Sequence, residues 1–527
     1  MRINNFRKIL SINLILMSIL SIFNLNQKSF ATITETQNQA NINITNIEKG
    51  VSASLYQIAT AEYDYTSNQP KEGYKWTSSI QDWIDTNMPE YSNTEDFYKL
   101  VETNSEESKE FYDKLTSEIK ENNIQIEAYD TKTAEGEAKY PITEENLDGK
   151  ITFSKVNMGT YLVLIENGYM VYTPSVINVV PSFNSETSMW ELNDKDVVVK
   201  ASKPSITKTV TDNTKTVDNY STIDDITYTI SADVPTYLKN SVSKKYCISD
   251  KLDNSLILNE ETLQILGIKV GEEPEAVTGY SINFNSQKPD NGEIMTFVID
   301  FDYSKIENYD SIKITYKAKL AKNDDLTIGT KGNRNIAYLD YSNNPYTNSS
   351  LQTQSSEEVK VYTYELDIKS VDKNDTSKAL PGSEFSITDS NGDELYFVKG
   401  EDGTYYLAEK TDENATNRVE VDSNGNLSLK GLDEGEYLVK QTKAPEGYNI
   451  SSKTYTVKLE DKDIDGEIDD AYSLIFPNTK GFTLPVTGGK GIIAYVSISI
   501  VLIGIGIMLV ISISKKKKVL EKQKINN

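Results

Sequence analysis

The stretch VVVKASKPSITKTV holds three lysines, Lys200, Lys203 and Lys208, within nine residues of a chain whose formal net charge is −25. A solvated lysine does no chemistry, but an amine held in an apolar interior tends to lose its charge and become a nucleophile. In SITKTV, Ile206, Lys208 and Val210 share one face of a predicted strand, because alternate side chains point to the same side. The alternation therefore predicts that Lys208 points into a core.

Two further strands offer the groups that such an amine needs. In NIAYLDY, Asn335 shares its face with Leu339, which predicts a buried carboxamide. In YCISDKL, Asp250 shares its face with Ile248, so its carboxyl group is expected inside, with a raised pKa. Such a group could carry a proton and polarise an amide. A buried ion pair between Lys208 and Asp250, without covalent chemistry, is the alternative.

Composition excludes several classes of function. The chain has no histidine and a single cysteine, Cys247, so Ser-His and Cys-His nucleophiles, the usual zinc sites and an internal disulfide are excluded. The acidic stretch DKDIDGEIDD begins like a calcium-binding loop, but Tyr472 stands where the loop needs a bidentate glutamate. We therefore predict a hairpin there, and no enzyme activity, cofactor or metal site. The negative charge argues against a nucleic-acid partner.

Both ends of the chain have the composition of targeting segments. At the N-terminus a basic start precedes an interrupted apolar run and the small residues around SFA, which predicts a removable signal peptide over residues 1–31. Residues 492–514 are almost wholly apolar and long enough to cross a bilayer, and KKKK follows at 515–518. The basic tail is expected in the cytoplasm, which places the body of the protein outside the cell.

The body between these ends has the pattern of tandem β-sandwiches. Alternating runs such as DITYTISADV, IKITYKAKL and GEYLVKQ are separated by Asn-Gly, Asp-Gly and Pro turns. Apolar residues at three- and four-residue spacing between about residues 77 and 122 predict an α-helical insertion in the first sandwich. The predicted fold is therefore mainly β. We place the domains at 32–199, 200–362 and 363–480, followed by a C-terminal segment, 481–527.

A short motif precedes the apolar segment. LPVTGG resembles the LPxTG sorting signal of Gram-positive surface proteins, and the motif, the apolar stretch and the basic tail come in the expected order. The signal consists of Leu484, Pro485, Thr487 and Gly488. The resemblance implies that a sortase cuts between Thr487 and Gly488 and transfers the Thr487 carbonyl to an amine, so that the apolar helix is a temporary membrane tether. The alternative is an ordinary single-pass membrane protein.

The whole body resembles a backbone pilin, the major subunit that sortases polymerise on Gram-positive cells. GTYLVLIENGYMVYTPSVINVVP is similar to the closing strands of the family's N-terminal domain. KPSITKTV, YCISDKL and GNRNIAYLDYSNNPY are similar to its isopeptide-forming fimbrial domain. LPGSEFSITD, GEYLVKQTKAPEGY and FPNTKG resemble a Cna-B-type, SpaA-like domain with a prealbumin-like fold. The resemblance implies tandem Ig-like or Cna-type β-sandwiches, and in the second of them an amide bond that forms when Lys208 attacks Asn335, assisted by Asp250, and ammonia leaves.

The third domain departs from the family in two places. Ser370 stands where the family has its lysine, and strand alternation turns the neighbouring Lys369 to the opposite face. Gln441 replaces the assisting glutamate, whereas Asn478 remains in the acceptor position. We therefore predict no isopeptide bond in this domain. A one-residue register shift that brings Lys369 inward is the alternative.

The resemblance also implies an exposed lysine that joins one subunit to the next. WELNDKDVVVKASKP is similar to the family's pilin motif but lacks its Tyr-Pro pair, so Lys200 and Lys203 both stay open. Both precede Pro204, which predicts an extended, exposed linker. We favour Lys200, because it ends the valine run.

These features predict a structural backbone subunit of a covalently polymerised cell-surface pilus, attached to the cell wall. Its expected partners are a pilin sortase, a housekeeping sortase, further copies of itself, minor pilins and peptidoglycan. Head-to-tail joining through one lysine and one C-terminus does not close on itself and gives a filament. A monomeric wall-anchored adhesin, built from the same sandwiches, is the alternative, and it needs no pilin lysine. A surface enzyme is the third hypothesis.

Overall fold

The protein is described by a computed structural model that covers residues 38–67, 69–93, 100, 105–139, 147–211, 214–347, 350–460, 472–481 and 490–524. The predicted signal peptide, the sorting motif with Leu484, Pro485, Thr487 and Gly488, and the acidic hairpin at 461–470 lie outside these residues. The chain is mainly β, as predicted, and its sheets form three successive groups, each around a hydrophobic cluster of its own.

The first group consists of short sheets. β1 lies between β11 and β5 in one sheet, and the order β3-β2-β6-β8 forms another, with β4 added at the edge of β2. Two two-stranded pairs, β9 with β10 and β7 with β12, complete the group. Its strands are β1 Gln39–Ile47, β2 Ser52–Asp64, β3 Gln69–Trp76, β4 Asp130–Thr133, β5 Gly149–Asn157, β6 Gly159–Glu166, β7 Val171–Tyr172, β8 Ser175–Val179, β9 Ser182–Asn184, β10 Met189–Glu191, β11 Lys195–Val198 and β12 Ala201–Ser202.

Two helices are inserted between β3 and β4, where the sequence predicted them. They are α1 Ser78–Asn87 and α2 Glu106–Lys120, with a 3₁₀ turn at Pro89–Tyr91. The Ser105 side chain accepts a hydrogen bond from the Ser108 backbone N–H at 3.1 Å, which caps the free donors at the start of α2. Phe111, Leu115 and Ile119 recur every fourth residue and are buried against β2 and β6, so packing on the sheet stabilises the helix.

The second group is a sandwich of two sheets. One has the order β13-β15-β21-β17-β18, and the other has β14-β24-β22-β16-β20-β19, with β23 paired to β22. A single helical turn, α3 Tyr303–Ile306, and a 3₁₀ turn at Gly329–Lys331 lie in the connections. The strands are β13 Ile206–Val210, β14 Val217–Asn219, β15 Ile226–Asp233, β16 Tyr246–Leu252, β17 Leu256–Ile268, β18 Glu275–Ala276, β19 Tyr280–Gln287, β20 Ile294–Phe301, β21 Ser311–Leu320, β22 Asn333–Tyr341, β23 Gln352–Ser355 and β24 Val359–Tyr362.

The third group is again a pair of sheets. The order β28-β29-β31-β25-β35-β33, with β26 on β25, faces the order β30-β27-β32-β34. A long helix, α4 Lys490–Lys524, follows. The strands are β25 Tyr364–Asp372, β26 Asp375–Ala379, β27 Glu384–Thr388, β28 Tyr396–Lys399, β29 Tyr405–Ala408, β30 Val419–Glu420, β31 Asn426–Leu432, β32 Gly435–Lys443, β33 Tyr448–Asn449, β34 Thr454–Leu459 and β35 Tyr472–Lys480.

Within α4, the segment Val496–Lys518 is long and apolar enough to cross a membrane by its length and composition, with a mean hydropathy of 2.8. It overlaps the apolar stretch predicted at 492–514, and the four lysines at 515–518 lie within the same helix. A helix is the form that this segment requires in a bilayer, because all its backbone hydrogen bonds are then internal.

Direct hydrogen bonds connect neighbouring groups. Between the first and second groups, the Asn343 side chain donates to the Gly168 carbonyl oxygen at 2.7 Å. Between the second and third groups, the Thr222 hydroxyl donates to the Leu407 carbonyl oxygen at 2.6 Å. Leaving a buried polar group unpaired costs stability, so contacts of this kind fix the orientation of each sandwich on the next.

The segment before Pro204, predicted as an exposed linker, is partly paired instead, and Pro204 itself is buried. β11 pairs in parallel with β1, and β12 pairs with β7 of the same group. Between these two strands, the Thr173 backbone N–H donates to the Lys200 carbonyl oxygen at 2.9 Å. The backbone around Lys200 is thus fixed on the first group, because its hydrogen-bonding groups find partners in neighbouring strands.

Candidate functional site

Lys208 lies in the interior of the second sandwich. It is in β13, where Ile206 and Val210 are buried on the same face, and only 1% of its surface is exposed. Its strand neighbour across the sheet is Ile230 on β15. The inward direction predicted from alternation is therefore confirmed, and the sequence places a lysine where a hydrophobic residue would otherwise pack.

Asp250 lies opposite this amine. Its carboxyl oxygens accept hydrogen bonds from the Lys208 Nζ at 2.6 and 2.7 Å, and both side chains are fully buried. Burial raises the pKa of Asp250, although the Lys208 amine opposes this shift. Burial likewise lowers the pKa of Lys208, to about 8, with Asp250 opposing. Both shifts favour the neutral forms, and the neutral form of the amine is the nucleophilic one.

Asn335 completes the predicted set. It is fully buried on β22, next to β16 in the second sheet. Its Nδ2 donates to the Tyr316 hydroxyl at 2.7 Å, and its Oδ1 has no hydrogen-bond partner among the described residues. Leaving a buried carbonyl oxygen unpaired costs stability.

Tyr316 brings the three groups together, and the sequence analysis missed it. Its hydroxyl accepts from Lys208 Nζ at 2.8 Å, accepts from Asn335 Nδ2, and donates to the Asp250 carboxylate. Tyr316 lies on β21, and its ring and that of Tyr228 lie 5.2 and 5.3 Å from the Lys208 Nζ. The alternation in IKITYKAKL places this tyrosine on the inward face. It does not indicate which groups the tyrosine hydroxyl contacts.

The arrangement suits an amide exchange between the two sheets. An amine at Lys208 that attacks the Asn335 Cγ would form an amide bond and release the Asn335 nitrogen as ammonia, while Asp250 takes a proton from the amine and returns one to the leaving nitrogen. Lys208 belongs to the β13 sheet, whereas Asp250 and Asn335 belong to the facing sheet. The bond would therefore tie the two layers of the sandwich together.

The corresponding place in the third group is neutral. Ser370 is fully buried on β25, and its hydroxyl accepts from Asn478 Nδ2 at 2.9 Å. Lys369 is exposed on the opposite face, so its predicted direction is confirmed and the register shift is excluded. Gln441 Nε2 donates to Asn478 Oδ1 at 2.7 Å.

The polar side chains of this cluster form hydrogen bonds with one another. The Ser383 hydroxyl lies 2.8 Å from that of Ser370, and Gln441 Oε1 accepts from the Ser451 backbone N–H at 2.9 Å. Neutral groups satisfy one another here without a buried charge, which is less costly than an isolated carboxylate in the same place. The lack of both the amine and the acid supports the prediction that no crosslink forms in this domain.

Restoring both groups should create the missing bond. We expect the double variant Ser370→Lys, Gln441→Glu to lose one additional ammonia, because its new amine would lie beside Asn478 with an acid in hydrogen-bond reach. The measurement is the intact mass of the denatured chain. Ser370→Lys alone is the matched control, and it should show no loss beyond that of the parent chain, because no acid is present. A double variant whose mass deficit equals that of the parent chain would contradict the expectation.

Lys200 and Lys203 both have exposed side chains, as predicted. Partial burial and the charge of Lys109 on α2 lower the pKa of Lys200. A lowered pKa increases the fraction of neutral amine, which is the nucleophilic form. Lys200 also stands at a fixed backbone position between β11 and β12, whereas Lys203 follows the last paired residue of β12.

Comparison with known proteins agrees with this architecture. Residues 365–472 match the SpaA family of domains with a prealbumin-like fold. This segment is a SpaA-like domain. It begins within β25, so it contains Ser370 and Gln441, while Asn478 lies just beyond it.

The chain that precedes the SpaA-like domain is also matched. The trypsin-resistant surface T6 protein of Streptococcus pyogenes serotype M6 is 26% identical over 337 residues, which are 59% of this chain and 57% of that protein. The chain thus spans little more than half the length of this curated relative.

Solved structures with the same fold are pilin subunits. The T6 backbone pilin of serotype M6 Streptococcus pyogenes superposes with a TM-score of 0.55 at 22% identity, over 80% of each chain. The major pilin SpaD of Corynebacterium diphtheriae gives a TM-score of 0.49 at 17% identity, over 85% of this chain and 99% of the other. The chain therefore has the fold of the T6 backbone pilin.

Proposed function

We propose that this protein is the structural backbone subunit of a covalently polymerised cell-surface pilus. The observation that carries the proposal is the fold of a backbone pilin, shared over 80% of both chains and including the SpaA-like domain. The proposed domains are those predicted from the sequence, 32–199, 200–362 and 363–480, with β12 lying just past the first boundary.

In this proposal a sortase joins Thr487 of one subunit to Lys200 of the next. The exposed amine of Lys200 and its lowered pKa support this role. The sorting motif, the apolar segment of α4 and the four lysines that follow it support processing at a membrane before attachment to peptidoglycan. A pilin sortase, a housekeeping sortase and minor pilins are the further partners that we propose.

The buried cluster of the second domain gives this shaft its resistance to force. We propose that Lys208 and Asn335 form an amide bond with the help of Asp250, in a reaction that occurs once in each chain. The protein is thus a structural one, and its chemistry is its own maturation. The hydrogen bonds between successive groups support a shaft in which load passes through all three sandwiches.

The proposal is tested by the size of the protein in wall extracts that are boiled in denaturant and immunoblotted. A ladder of covalent multimers is expected, because amide bonds between subunits survive denaturation. A single wall-linked band would contradict the shaft and would indicate a monomeric adhesin instead. A strain that lacks the pilin sortase is the control, and it should show the single band.

A further inference from the structure

A second lysine is buried on the outer face of the same sandwich. Lys288 follows β19 in the turn that leads to β20, and its side chain is 2% exposed. Its Nζ lies 4.7 Å from the centre of the Tyr338 ring, on the face of the sheet that looks away from Lys208. Cys247 and Met295 are buried on that face as well, so the lysine covers an apolar surface.

Two carboxyl groups meet the amine of Lys288. The Nζ lies 2.8 Å from Asp290 Oδ1 and 3.6 Å from Asp340 Oδ1. The Asp340 side chain is fully buried on β22, whereas that of Asp290 is 25% exposed. The Thr353 hydroxyl donates to Asp340 Oδ1, while Asp340 Oδ2 is buried without a hydrogen-bond partner among the described residues.

This arrangement repeats the chemistry of the inner site with other residues. In both places an enclosed amine touches a carboxylate that can take its proton. In the outer site the amine also lies 3.6 Å from Asp340 Oδ1, and the Asp340 Oδ2 is unpaired among the described residues, as is the Asn335 Oδ1 of the inner site. Burial raises the pKa of Asp340, although Thr353 and Lys288 oppose the shift. A neutral carboxylic acid is an electrophile, whereas a carboxylate is not.

We propose that Lys288 Nζ and Asp340 Cγ form a second internal amide bond. The bond between Nζ and Cγ forms, the bond between Cγ and one carboxyl oxygen breaks, and that oxygen leaves as water. Starting from an ammonium and a carboxylate, two of the three Nζ protons move to the leaving oxygen. The reaction uses no other reactant and transfers no electrons.

Asp290 is the positioning residue that carries these protons. It is the nearer acid to the amine, and its partial exposure lets it exchange protons with solvent. Asp340 is the electrophile, because a fully buried site holds no bulk water to favour hydrolysis. An unlinked arrangement would keep charges in a dry site, where desolvation offsets much of their attraction.

The bond would fix the edge strand of the sheet to its interior strands. In the order β22-β16-β20-β19, two strands lie between β22, which carries Asp340, and the edge strand β19, which Lys288 directly follows. A bond across them would hold the edge strand β19, whose partner is β20 alone among the described strands. It would act independently of the link between Lys208 and Asn335, which joins the two sheets.

Peptide mapping of the full chain, purified in detergent and digested with trypsin, tests this proposal. Trypsin does not cut before proline, so Lys288 is released in peptide 270–305, while Asn335 and Asp340 share peptide 335–360. We expect peptide 270–305 to be joined to 335–360 with the loss of one water. In the parent chain the peptide that contains Lys208 should also be attached, through Asn335. In Asn335→Ala that attachment is absent, so the joined species should contain only peptides 270–305 and 335–360.

Variants separate this bond from an ion pair. Lys288→Arg should release peptide 270–305 unlinked, and Asp340→Asn should still link but lose ammonia in place of water. Asp290→Asn should leave a large share of the chains unlinked, as expected of a proton carrier. Lys251→Arg is the matched control, because Lys251 forms an exposed ion pair with Glu293 near the same turn, and the link should persist. Recovery of peptide 270–305 entirely unlinked from the wild-type chain would overturn the proposal.

Discussion

Asn335→Ala should restore the mass of one ammonia to the chain and lower the unfolding midpoint of the second domain by roughly 10–20 °C. The proposed bond between Lys208 and Asn335 would close a loop on the order of a hundred residues, and a crosslink of that span is worth about 5 kcal/mol through the entropy of the unfolded chain. Intact mass spectrometry and calorimetry under the same conditions measure both effects.

Asn335→Ala is the informative variant, because it leaves the Lys208–Asp250 pair in place. Lys208→Ala and Asp250→Ala would each leave a buried charged group without its partner. Breaking a buried ion pair in this way costs about 3–5 kcal/mol in addition. Asn283→Ala, at an exposed position of β19, is the matched control, and it should change neither the mass deficit nor the midpoint. A wild-type chain that shows no linked Lys208 peptide would refute the crosslink.

Lys200→Ala should abolish the covalent ladder in wall extracts and leave a single wall-linked band. In the proposed junction the sortase-bound carbonyl of Thr487 needs an accessible amine, and Lys200 would supply one at a backbone position that β11 and β12 fix. Lys200→Arg should give the same single band, because a guanidinium keeps the charge but stays protonated. The immunoblot of boiled extracts is the measurement.

Lys203→Ala is the control for this second prediction. Lys203 is also exposed and only three residues away, so replacing it removes a nearby amine and leaves the amine of Lys200 in place. It should leave the ladder intact. A ladder that disappears in Lys203→Ala and persists in Lys200→Ala would assign the junction to Lys203. A ladder that persists in both variants would place the junction elsewhere and contradict the assignment.

Much of the inner site followed from strand alternation. A strand has a side-chain period of two, so the apolar neighbours of Lys208, Asp250 and Asn335 determine which way these groups point. The same rule separated Ser370 from Lys369 in the SpaA-like domain. In each case the direction depends only on local sequence, and the described residues bear it out.

The mainly β architecture, the helical insertion, the apolar C-terminal helix and the inward direction of the reactive groups could be predicted from the sequence, because they depend on local periodicity and composition. The contacts between residues far apart in the chain became visible only in the folded structure. Tyr316 reaches the inner site from another strand, and the backbone at Lys200 pairs with strands distant in sequence. Asp340 follows the outward period of β22, yet the turn that carries Lys288 covers it. Its burial arises from packing between segments that the alternation of a single strand does not encode.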